Sequence, residues 1–415
     1  MKRLRRPLAA VLYVIFGAAV LLPSSKVSAD DEFFDGKTIT YIVATKPGGG
    51  YDTYGRLIAK YLEKHLPGAR VIVKNVPGAG HIIGTNQLYH AKPDGLTIGS
   101  FNTGLIYAQL LKREGIRFDL RQMSWIGKAA SEPRVLVVGI DSGIASIQDL
   151  QRAADPVRLA SSGIGTSSHN ETALLGHALG LNVKIIPGYG GTEGEMGIMR
   201  GEVAGTLGSY SSLRPFVDNG FGRMVLRVGG DSGAIGSVPT VRDLVSDNDG
   251  RAIAALIESQ TELGRLTAGP PGIPSDRLAL LRGAYEKALS DADLRQQANR
   301  LSIPIDPLFG EAVAANVGLA LTQPPASVAL LASVMNADAA TTSVKADLLE
   351  VTAKGKRIRF HERGKTVVSK VSGSRTRVFI AGRADDRANL KKGMTCRIKY
   401  LAGGDNEARL IDCGD

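Results

Sequence analysis

The residues best placed to do chemistry are glycines. Turns rich in them run into helical periodicity at Lys46-Pro47-Gly48-Gly49-Gly50, at Pro77-Gly78-Ala79-Gly80 and at Ser161-Ser162-Gly163-Ile164-Gly165-Thr166-Ser167-Ser168, and a further one stands at Gly188-Tyr189-Gly190-Gly191-Thr192. Such turns leave several backbone N–H groups unpaired at the positive end of a helix dipole, a setting that suits a carboxylate or phosphate. One turn of this kind is ordinary punctuation in an α/β chain. Several, divided between two units, point to a shared anion-binding cleft. Enzymatic readings are weaker. Gly78-Ala79-Gly80-His81-Ile82-Ile83-Gly84 has the spacing G-x-G-x-x-x-G, and Lys74-Asn75 rather than an acid closes the preceding strand, against a dinucleotide loop. Gly230-Asp231-Ser232-Gly233 looks like a serine-protease nucleophile loop, but Ala234 follows it and the surrounding α/β rhythm is wrong for paired barrels. Turn chemistry accounts for it better. No clustered His, Cys and Asp spacing suggests a metal, and no cofactor is expected.

The elements that must position these turns alternate regularly. Thr38 to Ala44 reads as a buried strand, and Tyr54, Leu57, Ile58, Tyr61 and Leu62 give the following helix its apolar face, with Asp52 placed to cap it. Val71 to Val73 and Leu96 to Phe101 are further strands, and the repetition predicts a parallel, doubly wound sheet. Val135 to Val138 starts a second unit with strands at Arg158 to Ala160 and Lys184 to Ile186. Pro270 to Pro274 reads as a return crossing, before helices at Asp276 to Leu289 and Ala292 to Leu301. Two α/β lobes joined by two or more crossings make a hinged clamp over a cleft. The expected divisions are residues 30–135 for the first part of lobe 1, 136–240 for lobe 2, and 241–337 for the return to lobe 1 with the C-terminal helices. A linker at 338–345 and a small all-β domain at 346–415 follow, the latter announced by short β segments at Arg357 to Phe360, Thr366 to Val368 and Arg377 to Ile380.

The ends fix the expected compartment. Lys2, Arg3, Arg5 and Arg6 precede an apolar run from Leu8 to Leu22, and Val27-Ser28-Ala29 is a small-x-small cleavage site. This reads as a signal peptide cut near Ala29, its run being shorter than the ~20 residues that span a bilayer; a retained anchor is the alternative. The mature chain is expected in the periplasm. The formal charge of +11 is unevenly spread: residues 345–415 hold 17 Lys and Arg against 9 Asp and Glu, whereas residues 30–344 hold 29 against 31. The main body is nearly neutral, which argues against a nucleic-acid partner. If Gly404-Asp405 is the turn of a terminal hairpin, Cys396 faces Cys413 at a non-hydrogen-bonded position and Arg397 faces Asp412. A disulfide suits that geometry and an oxidising compartment; two free thiols are the alternative.

The turns also carry a resemblance. Lys46-Pro47-Gly48-Gly49-Gly50-Tyr51-Asp52, Asn75-Val76-Pro77-Gly78-Ala79-Gly80 and Lys92-Pro93-Asp94-Gly95 match, in order, motifs of the solute-binding component of tripartite tricarboxylate transporters, the Bug family. The match continues through Ser161 to His169, Pro187-Gly188-Tyr189-Gly190-Gly191, Arg200-Gly201-Glu202-Val203 and Val238-Pro239-Thr240, covering about residues 36 to 330. The resemblance implies a periplasmic-binding-protein-like clamp of the type II kind, monomeric and not an enzyme. It would close on a small di- or tricarboxylate and be read by membrane transporter subunits. Carried over, the first lobe would bind through Gly48, Gly49, Gly50 and Asp52, then Gly78, Ala79 and Gly80. The second would supply Ser161, Gly163, Thr166, Ser167 and His169, with Tyr189 and Gly191 nearby. Lys46 stands where the family usually has Pro, and Tyr51 where Thr or Ser is common. Lys46 either pairs with a ligand acid or is solvated, and His169 either touches the ligand or only starts a helix. Val203-Ala204-Gly205-Thr206-Leu207-Gly208 lacks the two Asp common in the family, which disfavours amino-acid ligands. A different class of function is an extracytoplasmic sensory or interaction protein that reuses the clamp, its basic tail docking on a sensor partner or an anionic surface.

Overall fold

The computed structural model describes residues 33–230, 235–338, 341–362, 364–373, 376–401 and 406–414. The expected signal peptide, the Asp231–Ala234 stretch and the expected Gly404-Asp405 turn lie outside the described residues.

β1 (Thr38–Val43) pairs in parallel with β2 (Arg70–Asn75) on one side and β3 (Thr97–Ser100) on the other. A strand flanked on both edges and covered on both faces reads as a nearly continuous apolar run, which is how Ile39, Tyr41, Ile42 and Val43 come to be buried together. β4 (Ser124–Ala130) follows, and residues 131–133 carry the chain into a second sheet. That sheet holds β5 (Arg134–Gly139), β6 (Val157–Ser161), β7 (Val183–Pro187), β8 (Gly205–Ser209) and β9 (Gly222–Val228), in the order β7-β6-β8-β5-β9. The chain returns with β10 (Gly264–Gly269) and β11 (Leu308–Phe309), completing a first sheet ordered β11-β4-β10-β3-β1-β2.

Each sheet is packed on both faces. In lobe 1, Tyr54, Leu57 and Leu62 of helix Gly50–His65 meet Tyr285 and Leu289 of helix Ser275–Ser290 on one face, while Phe101, Leu105, Trp125 and Val317 fill the other. In lobe 2, Leu174 and Leu175 pack with Ile253 and Ile257 on one face, and Ile198, Leu213 and Phe216 cover the opposite one. Burial of one such side chain is worth roughly 1.5–3 kcal/mol.

Several expectations need correction. β1 to β3 are parallel as read, but β10 runs antiparallel to β3 and β4, so the first sheet is mixed. The return crossing is at residues 262–263, ahead of β10, whereas Pro270 to Pro274 lies within lobe 1 after that strand. Residues 241–337 are shared between the lobes. Helix Asn248–Thr261 and the late helix Pro325–Asp338 both send apolar residues, Ile253 and Leu331 among them, into the lobe 2 core. Helix periodicity shows that a face is apolar, not which sheet it will cover. Asp52 is no N-cap, because the helix starts at Gly50 with Gly49 as cap and Asp52 falls inside its first turn.

The expected linker is largely structured. The helix runs to Asp338, and β12 (Thr341–Asp347) begins the C-terminal domain, its polar alternation suiting an edge strand paired throughout with β18. β13 (Glu350–Thr352), β14 (Arg357–Glu362) and β15 (Lys365–Lys370) form a three-stranded sheet. β16 (Arg377–Ile380), β17 (Arg383–Ala384), β18 (Thr395–Leu401) and β19 (Ala408–Cys413) join β12 in the order β12-β18-β19-β16-β17. The terminal pair has the predicted register, with Cys396 opposite Cys413 and Arg397 opposite Asp412, and a disulfide joins the cysteines at a Cα separation of 3.9 Å. A bulge then shifts the facing pairs by one, so that Tyr400 meets Ala408.

Candidate functional site

The first turn is fastened from behind. Asp52, buried, accepts hydrogen bonds on Oδ2 from the Gly48 N–H at 3.0 Å and Arg56 Nε at 3.0 Å, and on Oδ1 from Asn75 Nδ2 at 2.9 Å. Burial pulls its carboxyl pKa up, but these bonds outweigh it and hold the group below its ordinary value. One carboxylate thus ties the turn after β1 to the end of β2 while Gly49, Gly50 and Tyr51 line the cleft. Gly48, at φ +85°, shapes the turn behind that lining.

The second turn is strained. Gly78, Ala79, Gly80 and His81 have φ of 131°, 47°, 64° and 76° in succession, just ahead of helix Ile82–Tyr89. For Ala79 and His81 this is an uncommon conformation, of order 1–3 kcal/mol each. Consecutive left-handed residues turn the backbone around a concavity, and all four line the cleft. His81 anchors the turn, its Nδ1 lying 2.5 Å from the Ala44 carbonyl at the end of β1.

Lobe 2 contributes two turns. Thr166 caps helix Ser167–Leu179, accepting from the His169 N–H at 3.4 Å and donating to the Gly163 carbonyl at 2.8 Å. Gly163, Thr166 and Ser168 line the cleft. Ser161, Ser167 and His169 stand behind it: Ser161 Oγ is 3.4 Å from His169 Nδ1, and Ser167 gives its N–H and hydroxyl to Asn102 Oδ1 of lobe 1 at 3.0 and 2.5 Å. Tyr189 and Gly191 line the cleft from the last turn, the Tyr189 hydroxyl donating to Glu202 at 3.0 Å.

The lobes touch around this space. A Cβ on Gly191 would come within 2.6 Å of the Pro47 carbonyl oxygen, and one on Gly80 within 2.7 Å of the Ile164 carbonyl oxygen. Lys46 lines the cleft and is half-exposed. Its Nζ reaches across the cleft to Glu193 Oε2 at 2.8 Å, and this bond, followed by the Gly190 N–H, holds the Glu193 carboxyl below its ordinary pKa. The cleft holds a cavity of about 680 Å³, within the range of small-molecule sites.

Sequence reasoning missed the side chains that line it between the turns. Arg134 donates from Nε to Glu171 at 2.6 Å and from Nη1 to Ser209 at 3.0 Å. Arg265 donates from Nη2 to Glu132 at 2.7 Å and to Ser212 at 3.3 Å. Asn102, His81 and Glu195 also line the space, and burial raises the Glu195 carboxyl pKa. The signal available was slight: a lone Arg at the start of each of two apolar strands that adjoin the lobe crossings.

A model of the tripartite tricarboxylate transporter family receptor matches residues 55–294, more than half of the chain. The chain belongs to that receptor family. A relative from Pseudomonas sp. (strain P51), the UPF0065 protein in the tcbD-tcbE intergenic region, is 32% identical over 206 residues, 48% of this chain and 61% of its own. The match thus spans under two thirds of that relative's length. In three dimensions the receptor is similar to the periplasmic binding protein BugD, with 23% identity, a TM-score of 0.61, and coverage of 72% of this chain and 97% of that one. MatC from Rhodopseudomonas palustris with bound malate is similar at 21% identity and a TM-score of 0.58, covering 72% and 99%. These likenesses establish the receptor's two-lobed fold. The family is one of solute-binding receptors rather than enzymes, and among the described residues no group of His, Cys, Asp and Glu is arranged to hold a metal.

Proposed function

We propose that the chain is a periplasmic receptor that captures a small carboxylate between its lobes and presents the closed form to the membrane subunits of a tripartite tricarboxylate-type transporter. The observation that carries this reading is the convergence of four glycine turns, two from each lobe, on one cavity. The turns offer backbone N–H groups and helix N-termini, which suit an anion without performing chemistry on it. The malate-bound neighbour supports the ligand class, and the apolar leader with its small-residue cleavage site supports export. A panel of di- and tricarboxylates should raise the melting temperature of the full-length protein; ligand at 100 times its Kd adds about 2.7 kcal/mol of stability. No shift with any of these acids would remove the reading.

A second reading has its own observation. The β domain from Thr341 onward lies beyond the family match, and the surrounding sequence is strongly basic. In this reading the clamp belongs to an extracytoplasmic sensory or interaction protein, and the domain docks on a partner. Deleting the domain should then abolish retention while sparing carboxylate binding; unchanged retention ends that idea.

A further inference from the structure

The two cleft arginines do more than the fold requires. Arg265 is 2% exposed, and burying a guanidinium costs several kcal/mol unless it is paired. Each arginine has a buried carboxylate partner, Glu132 for Arg265 and Glu171 for Arg134, and neither glutamate lines the cleft. Each pair offsets a buried cation with a carboxylate. They do not exhaust a guanidinium's five N–H donors, and Arg265 Nε is buried with no partner. Arg265 also holds φ at +59°, left-handed for a residue with a side chain, with its guanidinium 4.5 and 4.7 Å from the ring centres of Tyr51 and Tyr54. Strain, stacking and an unspent donor together describe a group held in position. Gly50 lets it approach, because a Cβ there would lie 2.8 Å from Arg265 Nη2. The guanidinium therefore sits against the first turn of helix Gly50–His65, whose dipole adds to its field.

We propose that Arg134 and Arg265, with the hydroxyls of Ser209 and Ser212, form a side-chain anion subsite that takes the second carboxylate of a diacid whose first carboxylate rests on the backbone turns. This rests on the carboxylate-receptor reading and adds to it which side chains select a diacid. A carboxylate rather than a neutral acceptor suits the subsite, because hydrogen bonds between ionised partners are about twice as strong as neutral ones.

Calorimetric titration of the full-length protein with succinate and adipate, their half-amides and the matching monoacids tests it. The diacid should bind at least about tenfold more tightly than its half-amide, the scale of one charge-assisted bond. Arg134→Gln should erase that advantage while leaving the monoacid within about twofold. Arg265→Lys keeps a cation opposite Glu132 and should also narrow the gap, so the test survives an Arg134→Gln that folds poorly with Glu171 left unpaired. A half-amide equal to the diacid, or a folded Arg134→Gln that weakens diacids, half-amides and monoacids alike, would overturn the subsite while leaving the receptor reading intact. Failure of every acid to bind the unaltered protein would instead overturn the receptor reading, and the subsite with it.

Discussion

His81 carries its turn on one hydrogen bond, donated from Nδ1 to the Ala44 carbonyl, while Nε2 is buried without a partner. Burial lowers the imidazole pKa from the ordinary 6.5, and the Ala44 bond only partly offsets this. The unfolded chain therefore binds the proton better. The stability that the neutral ring contributes is fully present above about pH 6.5 and is lost as pH falls through that value toward the lower folded pKa. Melting temperature should accordingly drop between pH 7.5 and 5.5. His81→Asn, which tolerates the left-handed φ of 76° and cannot ionise, should flatten that drop. Thermal melts of both proteins at both pH values decide it; parallel slopes would refute it. At this scale the sequence exposed the glycines, because Gly-rich turns before helices have a local signature. Arg134 and Arg265 had none. Each is an ordinary strand residue until the crossings at 131–133 and 262–263 bring β5 and β10 to the same cleft.

Where turns of the two lobes meet, the contact is backbone on backbone. Gly49 lies against Gly191, a Cβ on Gly49 falling 3.1 Å from the Gly191 Cα, and backbone cannot yield as a flexible side chain can. Gly191→Ala should therefore block closure rather than unfold lobe 2. We expect carboxylate affinity to fall by more than about tenfold, since binding competence scales with the closed population. The melting temperature without ligand should fall modestly, because Gly191 holds a left-handed φ of +66° that strains an alanine, and small-angle scattering should show an unchanged radius of gyration when ligand is added. Normal affinity in this variant would mean that the lobes need not meet. The Lys46–Glu193 pair is softer, half-exposed and open to screening by salt, so it tunes closure rather than enforcing it. Element order was readable because periods of strand and helix alternate clearly up to β3. The antiparallel placement of β10, and the packing of helices Asn248–Thr261 and Pro325–Asp338 on lobe 2, were not. Both are set by which sheet face lacks a cover once the chain has crossed, and no local pattern records that.

At the level of the whole molecule, the clamp and the C-terminal domain keep separate cores. The latter gathers Leu348, Ile358, Phe360, Ile398, Tyr400 and Ile411 around the buried Cys396–Cys413 disulfide, with no residue of either lobe. A small β domain has limited apolar surface to bury, so a cross-link matters more to it than to the lobes. Closing a loop whose ends are 17 residues apart restricts the unfolded chain by about 3 kcal/mol. The double substitution Cys396→Ala with Cys413→Ala should therefore lower the stability of the C-terminal domain by roughly 2–4 kcal/mol. Scanning calorimetry of the full chain should resolve this as a displaced domain transition. A saturating dicarboxylate should raise only the clamp transition, by the same amount in both proteins, because ligand stabilises the unit that binds it. If reducing the cross-link moved the clamp transition as well, or if ligand raised both together, the two cores would be melting as one cooperative unit. The domain would then contribute to the receptor's closing equilibrium, not simply extend the chain beyond it.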